Sequence, residues 1–391
     1  MALFRFCFGL SVLAYCMSAA AQQNEIEFLQ NYAKSLAHAR EQTLTEINAQ
    51  RPLRRGSKGP DVAVAKQRFN ELGYPMAVNE LFDAELDASV REYQLGMHMK
   101  EDGILDKQTK FNLNLNDAKR LALLNWQIPQ MQALAQQAPE RYVVVNIPAY
   151  TLTAYENGKT VLESKIVIGK DDRRTPLLST QIAAIKYNPN WSAPPVVIKN
   201  DLIKDGQLNV AKVRKHKLRM LDSDGNEVNP AEVAASGERN FARYRYVQDP
   251  GAKNALGRLK FELTASNGIY LHDTPSKGLF GKENRAASSG CVRVQQWRDL
   301  AAWVLGVKPS VVSQRIATEK TYTEAIARPV KVYFVYWPAQ IDQQQVRWYD
   351  DIYNAYLSPR GVNSALLAPA PSQPSGEQSF LTQSKTNTSM N

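Results

Sequence analysis

The stretch YLHDTPSKGLFGKENRAASSGCVRV, residues 270–294, contains Cys291 between a glycine and a valine-rich segment. The other two cysteines of the chain, Cys7 and Cys16, lie within the first twenty residues. If that leader is removed, the remaining chain keeps one thiol with no partner for an intrachain disulfide. Such a thiol is either a nucleophile or a buried structural cysteine.

A nucleophilic cysteine needs a base that accepts its proton and backbone donors that bind the developing oxyanion. His272 ends a predicted strand nineteen residues before Cys291, whereas the other three histidines lie on predicted surface helices or in a basic run. Two adjacent strand ends joined by a long loop would bring His272 and Cys291 into contact. The N–H groups of Ser289, Gly290 and Cys291 would then form an oxyanion hole. The alternative is a structural cysteine with His272 hydrogen-bonded nearby.

The first residues predict a secretory signal peptide over 1–21, with Arg5, an apolar stretch over 6–17 and an A-x-A site that ends at Ala21. The apolar stretch is too short to span a bilayer, so we expect an exported, periplasmic protein without stable membrane insertion. The net charge is +10, and Arg5 is the only charge in the leader. Outside the cytoplasm such a balance favours anionic envelope polymers or lipid head groups over nucleic acid, or it is an inert basic surface.

The segment before residue 140 is predicted to be helical throughout. Residues 22–50 form an N-terminal helix, 51–116 a compact all-α module, and 117–139 a connecting helix. Within the module, one face carries Val62, Ala65, Phe69 and Leu72, the next helix carries Leu86, Val90, Tyr93 and Met97, and Asp106 caps a third helix. The alternative is a generic three-helix spacer.

From residue 140 to 357 the pattern becomes mostly β, with Asn157-Gly158 as a hairpin turn and one helix near 294–305. A polar insertion over 201–252 is predicted to cap this domain. Its basic run KVRKHKLRM, residues 212–220, is either a solvated helix face or a contact for substrate carboxylates. The tail over 358–391 is low in complexity and predicted to be disordered.

The helical module resembles the peptidoglycan-binding domain. It carries a G-x-x-G-x-D-V start at 56–62, an LGY stop at 72–74 and a DGxLDxxT close at 102–109. The resemblance covers the whole module and implies that it holds the protein on the wall polymer.

The stretch over 270–294 resembles the signature of the L,D-transpeptidase catalytic domain, with a histidine, a long loop and a Ser-x-Gly-Cys segment. Further segments resemble the same family: VVVNIPAYTLTAYENGK, VIGKDDRRTPLLS, NPNWSAPPVVI and NALGRLKFEL. Together they extend over roughly 141–357. The charged insertion resembles the capping subdomain of the larger Gram-negative members.

The resemblance implies roles for individual residues. Cys291 corresponds to the nucleophile and His272 to the general base. Asp273 offers a backbone carbonyl that orients the imidazole, and Tyr270 and Arg293 position the substrate. Arg293 is otherwise an exposed strand residue.

One departure from the family concerns the residue before Gly-Cys. Many members carry a histidine there, and this chain has Ser289. His272 is therefore the only base available, and Ser289 offers its N–H or hydroxyl.

The implied function is a transpeptidase that forms 3→3 cross-links between peptidoglycan stem peptides without metal or cofactor and that carbapenems could acylate. An L,D-carboxypeptidase, an enzyme that attaches a lipoprotein to the wall and a non-catalytic wall-binding protein are the alternatives. An activated thiol would react with iodoacetamide well below pH 8.5. The sequence leaves the oligomeric state open.

Overall fold

The computed structural model describes residues 20–37, 44–266 and 268–355, with side chains from residue 23 onward. The leader up to residue 19 and the tail over 358–391 lie outside the described residues. No helix within the described ranges is long and apolar enough to cross a membrane.

The helices are α1 (Ala20–Ala37), α2 (Pro60–Glu71), α3 (Ala84–Gly96), α4 (Lys107–Asn114), α5 (Asp117–Gln137), α6 (Pro195–Val197), α7 (Val210–Lys215), α8 (Pro230–Ala235), α9 (Trp297–Leu305) and α10 (Pro309–Ala317). The strands are β1 (Arg141–Asn146), β2 (Thr151–Glu156), β3 (Lys159–Gly169), β4 (Leu178–Tyr187), β5 (Trp191–Ser192), β6 (Ile203–Lys204), β7 (Gln207–Leu208), β8 (Arg219–Leu221), β9 (Glu227–Val228), β10 (Arg245–Gln248), β11 (Leu259–Leu263), β12 (Leu271–His272), β13 (Ala286–Ser288), β14 (Val292–Val294), β15 (Tyr322–Val335), β16 (Ala339–Asp342) and β17 (Gln345–Trp348).

The N-terminal helix is shorter than predicted. Residues 44–49 are not helical, so the expectation of a helix up to residue 50 was wrong. Asn114 explains the difference, because its side chain accepts from the Ile47 N–H at 2.9 Å and donates to the Ile47 carbonyl at 3.2 Å. These bonds replace the helical ones, and Ile47 packs into the core of the helical module instead.

Helices α2, α3 and α4 enclose a small apolar core of their own. Phe69 and Leu86 are fully buried there, as their helical spacing predicted, whereas Leu72 is exposed and was wrongly placed on the buried face. Asp106 accepts from the Thr109 N–H at 2.8 Å and so caps α4.

The β domain is built on a sheet of nine strands in the order β13-β3-β14-β12-β11-β4-β15-β1-β2. Strand β2 also pairs with β3, so the ladder closes on itself. Asn157 and Gly158 both have positive φ, at 51° and 71°, as a two-residue hairpin turn between β2 and β3 requires. The predicted mostly-β domain behind a helical module is thereby confirmed.

Residues 191–248 form a smaller unit, the cap, with its own sheet β5-β10-β8-β9. Its separate core extends from Ala193 to Tyr246, so the cap begins before the predicted boundary at residue 201. The first part of the cap contains the apolar residues around Pro194 and Ile198. The prediction omitted this part because it relied on polar composition to find the insertion. In the basic run, Val213 is buried and its charged neighbours on α7 face solvent.

The helical module is attached to the end of the β domain. Gln108 of α4 donates to the Trp348 carbonyl at 2.7 Å and accepts from the Asp350 N–H at 2.9 Å. Asn112 donates to the same Trp348 carbonyl at 3.2 Å. The side chains of one helix therefore bind the backbone that follows β17.

Candidate active site

The site is built on two short parallel strands, β12 and β14. Their register pairs Leu271 with Val292 and His272 with Arg293. The Val292 N–H donates to the Tyr270 carbonyl at 3.0 Å. Since side chains alternate along a strand, Tyr270, His272, Cys291 and Arg293 lie on the same face. The eighteen residues between His272 and Cys291 thus form a connection that returns the chain beside the strand it left.

Tyr270 lies beside both His272, the candidate base, and Cys291, the candidate nucleophile. Its ring meets the His272 ring edge-on, with centroids 5.5 Å apart. Its hydroxyl and its backbone N–H both act on the Cys291 sulfur as donors that favour the thiolate. The Cys291 thiol lies 3.6 Å from the Gly268 carbonyl oxygen. The sulfur therefore has a carbonyl acceptor and the polar groups of Tyr270 close to it.

The orientation of His272 is set by its neighbour in sequence. The Nδ1 atom lies 2.5 Å from the Asp273 backbone carbonyl. Because a carbonyl oxygen only accepts, Nδ1 carries the proton and Nε2 keeps its lone pair. This is the tautomer that a general base requires.

The Asp273 backbone is itself fixed through its carboxylate. That group accepts from the Arg258 N–H at 2.9 Å and pairs with Lys277. The approach is close, since a Cβ on Gly257 would lie 2.2 Å from an Asp273 carboxylate oxygen. Gly257, with φ of 62°, is therefore required beside the carboxylate.

Burial governs the protonation of both reacting groups. It lowers the pKa of His272 to about 3, helped by the Arg293 charge and opposed by the Asp273 carbonyl. Burial also raises the pKa of the Cys291 thiol, against the two Tyr270 donors and the Lys260 and Arg293 charges. At neutral pH both groups are uncharged. The sequence led us to expect a thiolate that iodoacetamide alkylates well below pH 8.5. The structure predicts the opposite, because burial raises the pKa of the Cys291 thiol.

The segment before the nucleophile is fixed through the backbone of Gly290. Its N–H donates to the Ser288 hydroxyl at 3.1 Å, and that hydroxyl donates to the Cys291 carbonyl at 2.6 Å. The Gly290 carbonyl accepts from Thr175 at 2.7 Å. The Gly290 N–H is thus used inside the loop, and the N–H groups of Ser289 and Cys291 are the candidate oxyanion donors.

Sequence reasoning missed two residues of the site. Lys260, on β11, is paired with His272 across the strands, and its Nζ lies 4.4 Å from the centroid of the Tyr270 ring. Trp191, the first residue of the cap, lies close enough to the Tyr270 hydroxyl to act on its pKa. The alternation along NALGRLKFEL could have indicated Lys260, whereas nothing in the sequence brings Trp191 to the site.

Arg293 is half-buried, so the alternative of an exposed strand residue was wrong. Burial lowers the pKa of its guanidinium, and among the described residues its Nε has no hydrogen-bond partner. The described ranges contain no group of three or more His, Cys, Asp or Glu side chains that could hold a metal ion.

Comparison with known families decides what this arrangement is. The YkuD family model, described as an L,D-transpeptidase catalytic domain, matches residues 140–332. Residues 140–332 belong to the L,D-transpeptidase family. A second model, described as "Putative peptidoglycan binding domain", matches residues 58–110. Both resemblances noted in the sequence are confirmed, and the L,D-transpeptidase domain contains the whole of the site described above.

Individual relatives carry the same descriptions. A curated protein of Haemophilus influenzae named "Putative L,D-transpeptidase" is 36% identical over 214 residues, 54% of this chain and 44% of the relative. This chain thus spans less than half the length of that relative. The solved L,D-transpeptidase of Xylanimonas cellulosilytica is 15% identical with a TM-score of 0.24, covering 74% of this chain and 100% of its own. The catalytic domain of the E. faecium L,D-transpeptidase, acylated by ertapenem, is 13% identical with a TM-score of 0.24, covering 51% and 98%.

Proposed function

We propose that this protein is a peptidoglycan L,D-transpeptidase that forms 3→3 cross-links through an acyl-enzyme on Cys291. The observation that carries the proposal is the parallel pairing of β12 with β14, which brings His272 and Cys291 to one face beside Tyr270. Family membership of residues 140–332 supports a peptidoglycan peptide as the substrate. The peptidoglycan-binding domain supports the same polymer as the partner.

In the first step, His272 Nε2 takes the proton from Cys291 Sγ as the sulfur attacks a carbonyl carbon. That carbonyl belongs to the third residue of a stem tetrapeptide. The N–H groups of Ser289 and Cys291 bind the oxyanion that forms. The bond to the terminal D-alanine breaks, D-alanine leaves with the proton from His272, and a thioester remains on Cys291.

In the second step, the side-chain amine of a neighbouring stem attacks the thioester carbonyl. His272 accepts a proton from the attacking nitrogen and returns it to the sulfur as the carbon–sulfur bond breaks. The products are a cross-linked dimer and free enzyme. Because His272 is neutral at rest, it serves as base in each half-reaction and as acid when the leaving group departs.

Three features support productive binding of the substrate. Arg293 is a half-buried cation beside the reacting groups, suited to a substrate carboxylate or carbonyl. Trp191 brings the cap against Tyr270, where the cap excludes water from the thioester. The helical module raises the local concentration of the polymer.

We propose two further properties. The leader predicted over 1–21 would direct export, so N-terminal sequencing of the exported protein should begin at Gln22. Carbapenems should acylate Cys291, which the family membership of residues 140–332 supports. Ertapenem, for comparison, acylates the catalytic domain of the E. faecium enzyme. Intact-mass analysis of the protein after incubation with a carbapenem tests this second property.

The test of the main proposal uses the mature protein and Cys291→Ala with a purified disaccharide-tetrapeptide, with products identified by mass spectrometry. We expect a dimer whose mass equals two substrates minus one D-alanine, formed by the wild type and not by the variant. Tripeptide without dimer would instead establish an L,D-carboxypeptidase. If neither product forms, a non-catalytic wall-binding protein becomes the better description.

A further inference from the structure

A single arginine joins the cap to the residue before the glycine of the nucleophile segment. The Arg173 Nη1 atom lies 2.9 Å from the Ser289 hydroxyl oxygen and 2.9 Å from an Asp201 carboxylate oxygen. Its Nη2 atom lies 3.4 Å from the second Asp201 oxygen. The Arg173 side chain is only 8% exposed, so the guanidinium is held by these contacts away from solvent.

The three residues come from separate parts of the chain. Arg173 ends the short helical turn Asp171–Arg173, which follows β3. Asp201 lies in the helical turn Ile198–Leu202, which belongs to the cap. Ser289 lies between β13 and Cys291. The Arg173 guanidinium therefore links the cap to the segment that precedes Cys291.

Ser289 supplies one of the two oxyanion donors assigned above. The two donors belong to different peptide groups. The Gly290 carbonyl, in the peptide group that carries the Cys291 N–H, accepts from Thr175, and the side chain of Ser289, the residue that carries the other donor, is held by Arg173. Oxyanion stabilisation depends on donors placed before the charge develops. If Ser289 could rotate freely, the Cys291 thiol would still be present, but the oxyanion donors would no longer be held in position.

The charge of Arg173 is paired with Asp201. The cations that favour the Cys291 thiolate are Lys260 and Arg293. The ion pair with Asp201 accounts for the raised pKa of Arg173 itself. The contribution of Arg173 to the site is therefore geometric.

We propose that Arg173 is a positioning residue, which couples the cap through Asp201 to the oxyanion donors through Ser289. The inference rests on the proposed function, because it assumes acyl transfer at Cys291. It also gives a role to the serine that stands where many relatives have a histidine. Here the hydroxyl of Ser289 accepts from the guanidinium and thereby fixes its own backbone N–H.

Two chemical probes separate donor placement from thiol reactivity. Acylation by a carbapenem forms an oxyanion, whereas alkylation by iodoacetamide proceeds at a carbon that bears no developing oxyanion. We would measure both rates by intact mass at one pH for the wild type, R173Q, D201N and S289A. Arg174→Gln is the matched control, since Arg174 is exposed and pairs with Asp171 instead. Melting temperatures report on folding.

We expect acylation to slow by about tenfold to a hundredfold in each of the three variants, as for a displaced oxyanion donor. Alkylation should change by less than about twofold, the range of weak surface effects. The double variant R173Q/S289A should be no slower than either single variant, because both remove the same contact. Arg173→Lys, which keeps the charge and a donor, should acylate faster than R173Q.

Several results would overturn the inference. Acylation by R173Q at the wild-type rate would show that the contact has no part in catalysis. Equal losses of acylation and alkylation would show that the variant disturbs the thiol itself, and additive losses in the double variant would show that Arg173 and Ser289 act separately. If the wild-type protein is alkylated but never acylated, the proposed function is refuted. The proposed role of Arg173, which depends on that function, is then refuted as well.

Discussion

At the scale of single residues, burial sets how the reaction begins. The His272 and Cys291 side chains are both uncharged at neutral pH, since burial lowers the pKa of the imidazole to about 3 and raises that of the thiol. The proton must then move from Sγ to Nε2 as the sulfur attacks. The bond from Nδ1 to the Asp273 carbonyl keeps the imidazole in the tautomer that allows this.

Because the pKa of His272 is lowered to about 3, the imidazole stays neutral well below pH 7, and the acylation rate should depend little on pH there. An imidazole with the ordinary pKa of 6.5 would be neutral in only about 3% of molecules at pH 5, and the rate would fall by roughly thirtyfold. We expect the carbapenem acylation rate to change by less than about twofold between pH 7 and pH 5. Intact-mass measurements on samples quenched at successive times give the acylation rate at each pH. A rate that falls to half near pH 6.5 would contradict the prediction.

The same shift makes stability depend on pH. His272 of the unfolded chain takes up a proton near pH 6.5, whereas the folded protein takes one up only near its lowered pKa of about 3. Between these values the unfolded state binds more protons, so the free energy of unfolding falls as the pH drops. We expect wild type to lose more stability than His272→Gln between pH 7 and pH 4.5 in urea titrations. Parallel losses would show that His272 is not the group responsible.

At the scale of elements, the segment after β3 is tied to the segment before β14 by Thr175. Its hydroxyl accepts from the Gly169 N–H at 2.9 Å and donates to the Gly290 carbonyl at 2.7 Å. The Thr175 N–H donates to the Tyr353 hydroxyl at 3.1 Å, which itself donates to the Gly169 carbonyl at 2.7 Å. One buried threonine therefore serves backbone groups on both segments.

Thr175→Val should destabilise the protein by about 2–4 kcal/mol, because it leaves two buried backbone groups without partners. It should also slow acylation, since the Gly290 peptide loses one of its supports. Thr175→Ser keeps the hydroxyl and serves as the control, with a smaller loss. Urea unfolding and acylation rates are the measurements, and a Val variant as stable as the Ser variant would contradict the assignment.

At the scale of the whole molecule, the helical module, the β domain and the cap each have a separate core or satellite core. Leu115, at the end of the helical module, packs into the core that includes the β domain, and polar contacts join the units at further defined places. Gln108 connects the module to the backbone after β17, and Arg173 connects the cap to the nucleophile segment. Gln108 and Arg173 are therefore positions where a single substitution removes a polar contact between two of these units.

Gln108→Ala should weaken the attachment of the module locally. The Asp350 N–H loses its side-chain acceptor at 2.9 Å, so its hydrogen exchange should accelerate by roughly tenfold, as for the loss of about 1.4 kcal/mol. Gln136→Ala, at an exposed position on α5, is the control. Exchange measured by mass spectrometry on peptides from residues 336–355 checks this, and equal rates in both variants would contradict it.

Much of this arrangement was predictable because it depends on local patterns. Asn157-Gly158 encodes a turn, Asp106 encodes a helix cap, and the spacing of Phe69 and Leu86 encodes buried helix faces. Leu72 was misplaced because α2 ends at Glu71 and Leu72 is its C-cap. The end of α1 was misplaced because tertiary contacts override helical periodicity there. The backbone N–H and carbonyl of Ile47 form hydrogen bonds with the Asn114 side chain instead of helical hydrogen bonds.

The sequence by itself determined which chemistry is present: one thiol outside the leader, one histidine at a strand end, and a glycine that lets the backbone turn at φ of 112° beside the nucleophile. Only the tertiary structure decided how that chemistry is tuned. The neutral state of His272 and Cys291 depends on burial, and Lys260 reaches the site through strand pairing. Arg173 meets Asp201 and Ser289 across 28 and 116 residues. Burial and contacts between distant segments arise from packing, which no local pattern encodes.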